Sequence, residues 1–164
     1  EPEHVEWLAE GADDARVIMA EALMEAVKDV DVVVAYNKAF EKRCLELISA
    51  GAPKYAAQLK TIGSKLHDLL PVVRDHVYHP EFLGSFSLKA VLPALVPGLS
   101  HEPLEVSQGQ TASALLHRLL FLGEPKEPAQ REALRRSLKD YCALDTLALV
   151  RLKERLDELA ATED

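Results

Sequence analysis

The sequence predicts an α/β domain, rich in helix and poor in strand, on three observations. Val32-Val33-Val34-Ala35-Tyr36 is a β-branched run without polar alternation, the pattern of a strand buried on both faces. Around it lie six or seven stretches whose apolar residues recur every three or four positions, as core-facing helices require. The last of these carries Tyr141 and Asp145 one turn apart inside its apolar stripe.

Val5–Leu8 is expected to form a short strand. Asp13 or Asp14 then caps a helix to about Val27 that turns Ile18, Met19, Ala22 and Ala26 inward. After the buried strand a helix opens at Asn37 or Lys38, buries Phe40, Cys44, Leu47 and Ile48, and stops at Gly51. Pro53 suits the first turn of the next helix, whose stripe is Tyr55, Leu59, Ile62 and Leu66. Asp68 is placed to cap a short helix carrying Leu69, Leu70, Val72 and Val73, and residues 74–87 follow as an ordered loop. Ser87 starts a helix with Leu88, Val91, Leu92 and Leu95 that ends at Pro97-Gly98, and Gln110–Leu122 forms another. Gly123–Pro128 leads to the last helix, with the stripe Leu134, Leu138, Ala148 or Leu149, Leu152, Leu156 and Leu159. A single strand needs neighbours, and the chain offers at most one or two weak candidates. Part of the sheet is therefore expected from outside these residues or from another chain.

A length of 164 residues suits one domain over 1–164, and 48% hydrophobic with 28% charged residues suits a globular one. No apolar run approaches the ~20 residues of a membrane span. The opening Glu-Pro-Glu-His is the wrong start for a secretory signal and holds no initiator Met, so the chain reads as a piece of something longer. Cys44 and Cys142 fall in helical patterns and read as small, reduced core residues, which places the protein in the cytoplasm. A net charge of −8 argues against non-specific coating of nucleic acid, though not against an acidic, metal-loaded site acting on it locally.

The candidate chemistry sits in two places. Glu41 lies in the first turn after the strand, where the helix dipole favours its ionised form and where α/β folds hold ligands. Asp145 lies on an apolar face and needs a cation or donors nearby. Together they suit Mg²⁺ or Mn²⁺, which take carboxylates with water and phosphate.

Tyr36-Asn37-x-x-Phe40-Glu41 resembles the second motif of the DEDD (DnaQ-like) 3′–5′ exonucleases, which have a ribonuclease H-like fold. Tyr141-Cys142-Ala143-Leu144-Asp145-Thr146 resembles their third motif in its tyrosine form. His67-Asp68-Leu69-Leu70-Pro71 and Gly84-Ser85-Phe86-Ser87-Leu88-Lys89 are similar to the connecting segments between them. The likeness runs from about Val5 to the end. It is strongest to bacterial proteins in which such a domain follows a RecB-like nuclease domain and in which Ser-Leu-Lys-Ala-Val-Leu-Pro and a Gln-Gly-x-x-Ala turn recur.

The resemblance implies metal-dependent hydrolysis of DNA or RNA ends. Asp145 and Glu41 would be metal ligands, and Tyr141 would position the attacking water. Asn37, Phe40, Arg135 and Lys139 would be the substrate contacts. Two departures stand out. Glu41 occupies a position where the family has Asp. The first motif, Asp-x-Glu, is absent from the sequence, and Asp29-Val30-Asp31 cannot replace it because it precedes the wrong strand. The 164 residues alone are therefore expected to bind metal poorly and to be inactive.

Other readings stay open beside these. Tyr141 and Asp145 also make sense as a satisfied polar pair, and Glu41 as a helix N-terminal acid. The basic face of Arg131, Arg135, Arg136 and Lys139 could track phosphates or be a solvated, paired surface. His76-x-x-His79, with Asp75 and Glu81, lacks the cysteines of a usual zinc site and reads as structural. Trp7 reads as a core anchor. The rival function is a docking or homo-oligomerisation module with a degenerate exonuclease fold.

Overall fold

The computed structural model describes residues 2–99 and 109–162, which form a helix-rich α/β protein. Two compact units appear: a sheet unit, Asp14–Val91, and a long-helix unit, Glu1–Asp13 with Leu92–Asp164.

The sheet unit contains α1 (Arg16–Ala26), β1 (Val33–Ala35), α2 (Lys38–Gly51), α3 (Ala56–Ser64), β2 (Leu66–Asp68) and α4 (Leu69–His76). Its core is the cluster Ala20, Ile48, Ala52, Leu59 and Ile62, with Val17, Leu23, Met24, Val27, Leu45 and Tyr55 packed against it. Both flanking helices are turned by about one residue, ~100°, from the expected phase. In α1 the inward positions are Val17, Ala20, Leu23 and Met24, and Ile18 and Met19 are exposed. In α2 they are Leu45, Ile48 and, past its end, Ala52, while Phe40 is 65% and Leu47 59% exposed. The corrected α2 stripe, extended one turn back by four residues, reaches Glu41.

β1 pairs in parallel with β2, with Val33 opposite Leu66, Val34 opposite His67 and Ala35 opposite Asp68. The strand from the β-branched run thus has a neighbour in its own chain. Leu66, expected at the end of a helical stripe, starts that neighbour because α3 stops at Ser64. Burial of β1 is also less than expected: only Ala35 is fully buried, and Val32 before it is exposed.

The long-helix unit contains α6 (Gly109–His117), which continues into a π-turn over Arg118–Leu122, and α7 (Pro128–Ala161). α5 (Leu88–Leu95) spans the boundary between the units in the sequence. α7 has 34 residues, with Leu138, Ala148 and Leu152 buried as its stripe requires. Residues 2–10 are irregular, so the strand expected at Val5–Leu8 does not form, and Trp7 is exposed rather than a core anchor. Cys142 is exposed too, whereas Cys44 is half-buried. The Gln-Gly-x-x-Ala turn begins at Gln108, outside the described residues. Among the described residues no helix is long and apolar enough to cross a membrane.

Candidate active site

In the sheet unit the chain leaves β1 through Tyr36 and Asn37 and enters α2 at once. Asn37 takes the left-handed conformation, φ 70°, which asparagine tolerates better than most residues. It stands at the N-cap position, yet its side chain makes no capping bond. The cap comes from β2 instead. One carboxylate oxygen of Asp68 accepts from the Asn37 amide at 2.8 Å, and the other accepts from Lys38 at 3.0 Å. The first oxygen also accepts from the Leu70 amide at 3.1 Å, capping α4 as its sequence position suggested. Tyr36 donates its hydroxyl to the Phe86 carbonyl at 2.6 Å, and burial with the nearby Asp68 charge pushes the phenol up to about 12.

Glu41 sits within this frame. Burial, then the charge of Asp68, raises its carboxyl above the ordinary range, opposed by a bond from its own backbone N–H. The helix start does favour the ionised form through that N–H, as expected, but burial and the Asp68 charge outweigh it. Oε2 of Glu41 is buried and has no hydrogen-bond partner among the described residues. Phe40, one residue earlier, faces outward.

In the long-helix unit Tyr141 and Asp145 are both half-buried, and the Tyr141 hydroxyl donates to the Asp145 carboxylate. Burial first, and that carboxylate second, push the phenol up to about 12. Gly109 at the start of α6 faces the same hydroxyl, and a Cβ there would stand 3.3 Å from it. Arg135 and Lys139 both meet the irregular N-terminal segment. Arg135 is 14% exposed and donates to the Ala9 carbonyl at 2.9 Å and to Glu10 at 3.1 Å. Lys139 pairs with Glu6 at 3.0 Å. Further along the basic face, Arg131 donates to the Leu119 carbonyl at 3.5 Å.

His79 accepts from the Glu81 amide through Nδ1 at 3.3 Å and so caps a 3₁₀ turn. Among the described residues no group of three or more His, Cys, Asp and Glu is placed to hold a metal ion. A cavity of about 540 Å³ between α2 and α3, floored by Leu45 and Leu59 and edged by Lys42 and Lys60, involves none of the candidate residues.

A family model described as Domain of unknown function (DUF2779) matches residues 1–87, just over half of the 164. The chain belongs to the DUF2779 family. No curated protein and no solved structure matches it. The DUF2779 match includes Asn37, Phe40, Glu41 and Asp68 and stops before Tyr141 and Asp145. Sequence reasoning reached Asp68 only as the cap of α4. Its bonds to a helix some thirty residues earlier had no local signal, since they depend on the β1–β2 register.

Proposed function

We propose that this DUF2779 chain is part of a ribonuclease H-like exonuclease of the DEDD type, and that its parent protein hydrolyses DNA or RNA ends with Mg²⁺ or Mn²⁺. One observation carries this reading. A glutamate at the carboxyl end of a parallel strand has a buried oxygen with no partner among the described residues, where α/β folds hold ligands. A hard divalent cation fits an orphaned carboxylate oxygen, so Glu41 would hold it, and by the family resemblance Asp145 and first-motif carboxylates are the other ligand positions. When bound, such ions stabilise the attacking and leaving oxygens of phosphodiester hydrolysis. The chain's own residues do the rest. Tyr141 holds Asp145 through its hydroxyl, and with its phenol at about 12 it serves as a donor rather than a base at neutral pH. Exposed Phe40 and the Asn37 turn offer stacking and polar contacts to a strand end.

The test compares this chain with one extended upstream. Each receives 5′-labelled single-stranded DNA or RNA with Mn²⁺, with EDTA and Asp145→Asn as controls. Stepwise shortening of the label by the extended wild type alone supports the reading. Absence of cutting by both chains on both substrates removes it.

A second reading, a docking or homo-oligomerisation module that works beside a RecB-like nuclease domain, has its own support. Tyr141 and Asp145 already satisfy one another, and Arg135 is engaged within its own unit. Under this reading the extended chain shows no Mn²⁺-dependent change in a titration.

A further inference from the structure

We propose that Asp68 is the positioning residue of the candidate site: its one carboxylate clamps the first turns of α2 and α4 together at the ends of the paired strands and so fixes where Glu41 stands. The proposal rests on the nuclease reading for the role of Glu41, but the clamp itself is a separate claim.

An ordinary N-cap serves the helix that follows it. Asp68 does this for α4 through Leu70, and it also takes the amides of Asn37 and Lys38, the N-cap and first residue of α2. α2 has no cap of its own, because the left-handed Asn37 makes no side-chain bond. An ionised carboxylate between two helix N-termini faces the positive ends of both dipoles, and its bonds are charge-assisted. The parallel register supplies the reach, since Asp68 lies opposite Ala35, two residues before Asn37. Glu41 stands one turn further along α2, on the stripe that continues through Leu45 and Ile48. Its buried Oε2 has no partner to hold it among the described residues, so the helix start sets its place.

The two oxygens have different duties, and that makes the clamp testable in the full chain by amide hydrogen exchange and by carbon NMR of the Glu41 carboxyl. Asp68→Ser keeps a short acceptor for Leu70 but cannot reach α2. The Asn37 and Lys38 amides should then exchange about five- to tenfold faster, as for a lost cap bond, with Leu70 unchanged. Asp68→Asn keeps one acceptor oxygen, enough for Asn37 and Leu70, and turns a donor toward Lys38. Lys38 alone should open. In both variants the Glu41 carboxyl carbon resonance should move at fixed pH, because the turn that carries it is no longer held.

Val33, whose amide bonds Lys65 across the strand pair, reports whether the sheet itself survives Asp68→Ser. If it does not, the Asp68→Asn pattern decides. Wild-type exchange at Asn37 and Lys38 in Asp68→Ser, or an unmoved Glu41 carboxyl resonance in both variants, overturns the proposal. None of these measurements needs metal or substrate. An upstream-extended chain that fails to cut therefore removes the nuclease reading and leaves the clamp standing, and a failed clamp beside an extended chain that cuts does the reverse.

Discussion

The two units treat their central carboxylates in opposite ways. In the sheet unit Asp68 gathers three backbone amides, and Glu41 beside it is left with a buried oxygen that no described residue satisfies. In the long-helix unit Asp145 receives the Tyr141 hydroxyl from one turn away, and Arg135 and Lys139 earlier on the same helix meet the N-terminal segment. One unit thus keeps an unmet demand for positive charge or a proton, while the other meets its demand internally. Unmet demand inside a fold costs stability and marks a place where something else is expected to bind.

The contrast has consequences of different sizes. The largest tests whether each unit has a packed core at all. Leu59 and Leu152 are both fully buried, and Leu59→Ala or Leu152→Ala should each cost about 2–5 kcal/mol in denaturant unfolding. A loss below about 1 kcal/mol for either would mean that its unit is loosely packed, and the contrast would lose its footing.

Next comes Glu41. Its folded carboxyl lies above the ordinary range, so folding favours the protonated form. That contribution is complete below about pH 4.3 and is lost as pH rises through the raised value. Glu41→Gln removes the loss and should stabilise the chain at neutral pH by about 1 kcal/mol, ~2–4 °C in Tm. The advantage should vanish in acid. Thermal melts across pH decide it, and a variant no better at neutral pH than in acid breaks the comparison.

The corresponding change in the long-helix unit should be milder for stability, below about 1 kcal/mol, since a half-exposed pair is lost rather than a buried charge relieved. Asp145→Asn should instead bring the Tyr141 phenol down from about 12, read by near-ultraviolet titration. Tyr36, also at about 12 but facing Asp68, should stay in place as an internal standard.

Smallest is Gly51→Ala. A Cβ there would meet the Arg16 guanidinium, the mobile end of a long side chain that pairs with Asp14. The guanidinium can move aside, and alanine favours the helix, so the net change should stay within about 0.5 kcal/mol.

Much of this was legible in the sequence, and what was not has identifiable causes. Helix extents followed from caps and breakers: α2 ends at Gly51, and α4 begins after Asp68 as predicted. Helix phase did not, because Ile18, Phe40 and Leu47 are apolar yet exposed, and hydropathy alone cannot tell an exposed leucine from a core one. The same one-residue error hid the fact that Glu41 lies on the inward stripe. β2 was missed because its three residues follow a helical stripe without a break in period. The Tyr141–Asp145 pair was legible from its spacing alone, since both partners sit on one helix. The Asp68 clamp was not, for it joins segments whose meeting is decided by strand register.

The length of α7 has a practical side. Its 34 residues at ~1.5 Å each make a rod of about 51 Å, with Asp145 sixteen residues from Ala161. A dye or affinity tag attached at Ala161 would therefore stand some ~24 Å along the axis from the tyrosine–aspartate pair. Beyond Val150 the rod carries its own ladder of ion pairs, Arg151–Glu154, Lys153–Asp157 and Arg155–Glu158. These brace it turn by turn, so the far end serves as a rigid handle for immobilising the chain while leaving the pair itself untouched.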